Sequence, residues 1–285
     1  MIEGIGFDLT WLSSILFGLV SGLAEVLPIS ATAHRILMQN LLGDGKTHIL
    51  LPFMLHVGSL AALFYCCNSQ ILRLTRAEKL ASTPKSRRKR PLDTRSLMEM
   101  KLLRTTLIPI VAAFFFYKKA ATLQENLVAV SLLWVLNGVI LYIPQYLPGS
   151  NRDASSLSRF DGLLMGLGSA ASILPGISCT GAAISVASVR GADKHFSLNT
   201  ALLMTIPVTI GLIAMDIFAI VEVGLAGIGF GLVLKSLISA VAAFFGVRLG
   251  IHILRLLVEN IGFSVFAPYC WGIGLFTFIF YLTAA

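Results

Sequence analysis

A chain of 285 residues in which apolar side chains make up 56% and charged ones 13%, at a mean hydropathy of +0.84, carries about half the charge of a soluble globular protein, roughly 25%. That excludes a water-soluble enzyme, a disordered chain and a nucleic-acid binder, so no nucleic-acid partner is expected. The net charge of +8 is local: eleven Lys and Arg stand between Arg73 and Arg104 against three acids, Glu78, Asp93 and Glu99, and the rest of the chain is neutral.

Glu3 and Asp8 precede the first apolar run without a basic segment, so that run is expected to stay in the protein rather than leave as a signal peptide. A helical span needs about twenty apolar residues. The candidates are Trp11 to Leu27, Ile49 to Cys67, Leu102 to Tyr117, Leu127 to Tyr146, Phe160 to Ser188, Leu198 to Val221, Leu225 to Leu257 and Val265 to Leu282. The first and third are short. The seventh, with Arg248, His252 and Arg255 near its end, has length for a span plus an amphipathic turn. Residues 73–104, with TPKSRRKRP (Thr83 to Pro91) at their centre, form a basic connection. Such loops resist translocation, which predicts a cytoplasmic loop and puts the preceding connection, near Thr47 to Leu51, on the periplasmic face. Cys66, Cys67, Cys179 and Cys270 have neither disulfide-framework nor zinc spacing and read as small apolar fillers.

Two apolar segments carry interruptions that a simple span would not choose: LPISATAH (Leu27 to His34) and LPGISCTG (Leu174 to Gly181). A shift of 148 residues lays Gly18, Leu19, Ser21, Ile29, Ser30 and Thr32 on Gly166, Leu167, Ser169, Ile177, Ser178 and Thr180, with Ala33 on Gly181. These identities cluster on the breaks and the shift is about half the chain, which predicts an internal duplication within a single membrane domain, residues 1–285. One repeat covers about 11–145 and the other about 160–285. Matching broken segments in two halves point to a site where irregular backbone lines a cavity.

Ionisable groups inside hydrophobic segments are costly and therefore functional candidates. Glu25 and His34 flank the first break with Ser30 and Thr32 between them, and re-entry of the chain there would let a carboxylate and an imidazole share one cavity. That pair suits proton transfer or metal-assisted phosphate chemistry. The bland reading makes His34 an interfacial residue snorkelling beside Arg35. The second break offers hydroxyls and a free backbone, the makings of an anion nest. His56 reads as a packing histidine or, alternatively, as one that lines the cavity; Asp216 and Glu222 lie towards a span end, Glu222 as an interfacial residue. No nucleotide-binding loop is present. A cysteine phosphatase needs an arginine where Ser185 follows Cys179, and a vanadate-type acid phosphatase needs serine where Val189 precedes Arg190, with a histidine one place after His195.

At the breaks the chain resembles the undecaprenyl-pyrophosphate phosphatase family, the bacitracin-resistance proteins. The family's first loop reads approximately EGxTEFLPVSSTGH against SGLAEVLPISATAH here, and its second PGxSRSGATI against PGISCTGAAI; the resemblance runs through nearly the whole chain, including FSLNTALLMTIPVTIG (Phe196 to Gly211). It implies an all-α integral membrane protein of a bacterial inner membrane, an inverted-repeat helical bundle with two re-entrant helical hairpins. It further implies a polyprenyl pyrophosphate substrate of cell-envelope (peptidoglycan) lipid recycling, met on the periplasmic side, with Mg²⁺ or Ca²⁺ as cofactor, and leaves a homodimer open. Glu25, Ser30, Thr32, His34, Gly176, Ser178 and Gly181 match the pattern. Ser21 stands for its first glutamate, Ala31 for a serine, Ala33 for a glycine and Cys179 for its arginine.

Two functions follow. In the first, the protein hydrolyses undecaprenyl pyrophosphate, with His34 as acid/base or nucleophile, Glu25 holding metal or water, and Ser30, Thr32, Ser178 and Thr180 on phosphate oxygens. Ser21, Gly176, Cys179 and Gly181 complete the binding set, and the site is weakened by the missing arginine, since oxyanion donors are each worth about 100- to 1000-fold in rate. In the second, a flippase carries a polyprenyl phosphate or another anionic lipid across the bilayer without cleaving it. A site without its arginine is better matched to a monophosphate, an argument that a compensating guanidinium from Arg248 or Arg255 would overturn.

Overall fold

The computed structural model describes residues 9–42, 48–88, 91–147, 151–224 and 228–284, so Glu3, Asp8, Thr47, Lys89, Arg90 and the start of the seventh candidate span lie outside the described residues. The described chain is helical: α1 (Trp11–Val26), α2 (Ala31–Leu42), α3 (Leu50–Ser82), α4 (Thr94–Phe114), α5 (Tyr117–Ala121), α6 (Leu127–Tyr142), α7 (Arg159–Ala170), α8 (Cys179–Val189), α9 (Lys194–Val223), α10 (Phe230–Asn260) and α11 (Phe266–Ala284).

Five helical segments are long and apolar enough to cross a membrane, and a sixth arises if α4 and the segment from Tyr117 to Glu125, bent 65° apart, count as one. Their outward faces carry large apolar side chains, among them Phe64, Ile108, Leu132, Phe218, Phe245 and Leu275, which only a lipid environment accommodates on this scale. The chain is a multi-pass membrane protein. By contrast α1 has 16 residues, α2 12, α7 12 and α8 11. At 1.5 Å per residue none reaches the roughly 30 Å of a hydrocarbon core. Both interrupted segments are thus pairs of short helices joined by a break.

Small residues set how these pieces pack. Gly18 and Gly22 of α1 lie against Ser239, Ala242 and Ala243 of α10, and further along Gly246 and Gly250 lie against Leu19, Leu23 and Val26. Numbers rise together, so α1 and α10 run parallel with backbones in near contact, as small-residue seams permit. In the same way Gly162 and Gly166 seat α7 parallel to α4, against Leu102, Thr105, Thr106 and Pro109. α6 and α11 run antiparallel, Gly138 meeting Ala267 and Trp271 while Gly274 meets Ser131 and Val135. α3 and α9 are also antiparallel: His56 meets Asp216 near one end, and Gln70 shares a cavity with His195 and Leu198 near the other.

The basic stretch is mostly helix. α3 continues to Ser82, and its 33 residues span about 50 Å, carrying Arg73, Arg76 and Lys79 past any hydrocarbon layer. α4 starts at Thr94, capped by Asp93, whose side chain accepts from the Ser96 N–H. Two acids of the stretch tie the helices together, Glu99 to Arg73 at 2.7 Å and Glu78 to Arg104. The connection proper is therefore shorter than the expected 73–104. Arg190 pairs with buried Asp161 at the open end of α7 and α8, and Arg95 reaches Asp153 at 3.5 Å, which places that end on the same side as the basic stretch. α1 opens on the other side, where Leu9 and Phe17 pack with Leu51 and Leu55 of the first turns of α3. From Phe230 onward the seventh candidate is one unbroken helix, to Asn260, without a separate amphipathic turn.

Candidate functional site

The two breaks, far apart in sequence, meet at one place. Ser178 Oγ donates to the Leu27 carbonyl at 3.3 Å, and Thr180 Oγ1 lies 3.5 Å from the carbonyl of Glu25. Gly181 abuts Pro28 closely enough that a Cβ would collide with it. α6 holds the crossing from behind. Asn137 donates to the Pro28 carbonyl at 3.0 Å and accepts from the Ser178 N–H at 2.9 Å, while Trp134 Nε1 donates to the Ile29 carbonyl at 2.8 Å. Backbone groups freed by two helix breaks would be costly in an apolar interior, and these two side chains satisfy them.

The breaks start their second helices alike. Ser30 Oγ accepts from the Ala33 N–H at 3.4 Å and Ser178 Oγ from the Gly181 N–H at 3.2 Å, both as helix N-caps. Their backbones differ. Ser30 sits at φ +66°, alone among the described non-glycine residues in having a positive φ, whereas in the second break Gly176 takes the positive φ, +126°, with no room for a side chain against Leu133 and Trp134. A left-handed serine costs of order 1–3 kcal/mol and persists only where its surroundings enforce it.

His34, buried in the first turns of α2, has two distinct ring partners. Nδ1 lies 2.8 Å from the Ser30 carbonyl, which only accepts, so Nδ1 carries the proton. Nε2 lies 2.7 Å from the Tyr269 hydroxyl, and in the neutral ring it accepts from that hydroxyl. The ring stacks on Tyr269 and meets Trp134 edge-on. His34 and Tyr269 border an apolar groove of about 330 Å³ walled by Leu23, Ile29, Leu257 and Phe266.

Glu25 turns elsewhere. It is buried, with Oε1 3.2 Å from Thr209 Oγ1 of α9. Thr180 and Thr205 hydroxyls lie 3.3 Å apart beside it, and Thr205 is 3.8 Å from the Cys179 sulfur. Ser21, one turn before Glu25, has a buried hydroxyl with no partner among the described residues. Glu25 and His34 thus share no hydrogen-bond partner: Glu25 meets Thr209 of α9 and His34 meets Tyr269 of α11. The oxygen donors Glu25, Ser21 and Thr209 suit a hard cation, but with one carboxylate they hold Mg²⁺ or Ca²⁺ only if water and phosphate complete the shell. Among the described residues no group of three or more His, Cys, Asp or Glu side chains is placed to hold a metal.

The remaining expectations resolve as follows. Arg248 stacks over Tyr65, and Arg255 borders a cavity with Gln70, His195 and Glu259 near the basic end. Neither is at the breaks, because α10 presents both on faces turned away from α1. Glu222 is exposed and pairs with Lys118 at 2.6 Å. All four cysteines are free, and Cys67, Cys179 and Cys270 are buried. Residues that sequence reasoning missed or undervalued are Arg35, His56 and Asp216, which form one buried chain. Arg35 Nη1 donates to His56 Nε2 at 2.8 Å, and His56 Nδ1 donates to Asp216 Oδ2 at 2.6 Å. Asn137, Trp134 and Thr209 were also missed. The available signal was a polar residue in mid-span, since an asparagine in a 16-residue apolar helix needs a partner.

The family model described as the bacitracin resistance protein BacA matches residues 14–276. An undecaprenyl-diphosphatase of Methanobrevibacter smithii is 30% identical, covering 94% of this chain and 96% of its own length. Those of Syntrophotalea carbinolica and Halothermothrix orenii are 28% and 26% identical, each covering 93% of this chain and 97% and 96% of their own lengths.

Proposed function

The chain belongs to the BacA family of bacitracin resistance proteins, and on that premise we propose that it hydrolyses a polyprenyl pyrophosphate, undecaprenyl pyrophosphate in particular, to the monophosphate. The observation that carries the reading is His34: its Nδ1 is held by the Ser30 carbonyl, and its Nε2 stands at the Tyr269 hydroxyl on the border of an apolar groove that suits an isoprenoid chain. Water attacks the terminal phosphorus and passes a proton to Nε2 once Tyr269 swings aside. The bond from that phosphorus to the bridging oxygen breaks, and inorganic phosphate and the lipid monophosphate leave. Ser30, Thr32, Ser178 and Thr180 are the hydroxyls for phosphate oxygens, with Gly176 and Gly181 allowing close approach. A bound Mg²⁺ or Ca²⁺, held by Glu25 with Ser21 and Thr209, would neutralise phosphate charge. Cys179, where the family pattern has arginine, makes the site a weakened one.

Helix directions support an inverted repeat with two re-entrant hairpins. α3 and α9 are antiparallel, as are α6 and α11, and the α1–α2 and α7–α8 pairs open on opposite ends. With the basic stretch cytoplasmic, the α1–α2 mouth faces the periplasm. That same two-sidedness favours a second reading, translocation of the lipid phosphate across the bilayer.

Phosphate release from undecaprenyl pyrophosphate by the purified protein, with and without Mg²⁺ or Ca²⁺, separates the two. Hydrolysis predicts turnover that His34→Ala lowers by about 100- to 10,000-fold, and that rises when Ser21→Glu, Ala31→Ser and Cys179→Arg are combined. No turnover in either background, with lipid phosphate crossing proteoliposomes, would overturn it in favour of translocation.

A further inference from the structure

Arg35 is 8% exposed, and a buried guanidinium persists only when paired and hydrogen-bonded. Its five N–H donors are only partly used: one Nη1 proton goes to His56 and one Nη2 proton to Thr32 Oγ1 at 3.2 Å. The other three have no partner among the described residues. Arg35 borders a polar cavity of about 120 Å³ that Thr32, Ser172, Tyr117 and Gln124 also line, with His56 and the Asp216 carboxylate on its wall. A single water needs roughly 10–15 Å³ of such space, so the cavity admits a larger polar group. Asp216 balances the guanidinium through His56 rather than by direct contact. That linkage fixes the orientation of Arg35 and leaves Nε–H and one N–H on each Nη for a ligand.

The cavity also touches the second break. Ser172, on its wall, is one of the hydroxyls beside the Cys179 sulfur, with Ser169 and Thr205. A guanidinium from the first hairpin therefore reaches the neighbourhood in which the second hairpin has a thiol. We infer that this cavity is a phosphate subsite, in which Arg35 and Thr32 bind phosphate oxygens while His56 and Asp216 act as positioning residues. Arg35 thereby supplies the charge-assisted, forked contact that position 179 lacks. Pro52 and Leu212 complete the rim on the side away from the basic stretch. The inference deepens the proposed function and rests on it for the source of the phosphate, lipid head group or free ion.

The test is equilibrium binding to the full chain in nanodiscs, with undecaprenyl phosphate, inorganic phosphate and the uncharged polyprenol as separate probes. Arg35→Lys keeps the charge and loses the fork. Arg35→Met with Asp216→Asn removes both charges together, so one variant is charge-balanced should the other misfold. Each should weaken phosphate binding at least tenfold and leave polyprenol binding unchanged, and adding Cys179→Arg to the double variant should restore affinity. Arg35-dependent binding of the lipid phosphate alone assigns the subsite to the head group. Arg35-dependent binding of inorganic phosphate alone keeps the subsite and overturns the lipid reading. If folded variants bind both phosphates as the wild type does, the inference fails while the proposed function stands. If the wild type binds neither phosphate, the inference fails, and turnover of undecaprenyl pyrophosphate decides the proposed function separately.

Discussion

Asn137 does for the two breaks what no backbone partner can. One side-chain amide serves Pro28 of the first break and Ser178 of the second. Replacing it with alanine leaves the buried Ser178 N–H unpaired, at about 1–3 kcal/mol, and leaves the Pro28 carbonyl only the weak Cys270 thiol at 3.7 Å. Asn137→Ala should lower the thermal midpoint in detergent and abolish function, whereas a change at exposed Leu132 of the same helix should do neither. Unchanged melting of the variant would show that the breaks are held some other way. His34, Glu25, Ser30, Thr32 and Ser178 were legible in the sequence because they border the interruptions themselves. Arg35 was not, being read as an interfacial neighbour of His34, because its partners His56 and Asp216 lie on other helices. Residues one apart on a helix point about 100° apart, so His34 meets the apolar groove while Arg35 meets the polar cavity.

At the scale of the helices, apolar run length located every long segment but misjudged ends and continuity. Phe160 to Ser188 reads as one long run and folds as α7 and α8, since the break is apolar except for its Pro, Gly and Ser residues. α3 and α4 extend past their apolar stretches because Glu78, Glu99, Arg73 and Arg104 pair between them, which hydropathy does not see. The glycine seams have a direct consequence. A methyl group at Gly22 would meet the Ala243 backbone, while one at Gly272 would meet nothing. Gly22→Ala should therefore destabilise the protein by about 1–3 kcal/mol as an overpacked contact and Gly272→Ala should be neutral, in paired denaturation measurements. At the start of α4, outside the membrane, the hydrogen bonds from Ser96 hold the Asp93 carboxyl below its ordinary value of 3.8. A depressed carboxylate stabilises the folded state above that value and loses its contribution as pH falls through the lower folded one. Hydrogen exchange at the first turn of α4 should thus be flat from neutral pH to about 5, once intrinsic exchange rates are divided out, and lose protection only below about 4. Asp93→Ala should be unprotected throughout. A first turn equally protected in both proteins would contradict the cap.

For the whole molecule, the charge that dominates the composition lies at one end, and the chemistry lies in a nearly uncharged middle. The +8 belongs to the extended ends of α3 and α4 and their connection. The breaks, by contrast, bring together one carboxylate, one imidazole, a set of hydroxyls and one buried guanidinium. That the two breaks meet at α6 follows from packing, which the linear sequence does not display. The central claim is that the two breaks make one site for a lipid phosphate, with its isoprenoid chain in the His34 groove. The most direct measurement is a cryo-electron microscopy map of the protein with undecaprenyl phosphate. The account predicts head-group density among Thr32, Arg35 and Ser178, and a chain running past His34 and Tyr269. A chain lodged instead in the groove that Phe64, Leu74, Met100 and Met204 form between α3, α4 and α9, with no density at the breaks, would contradict it.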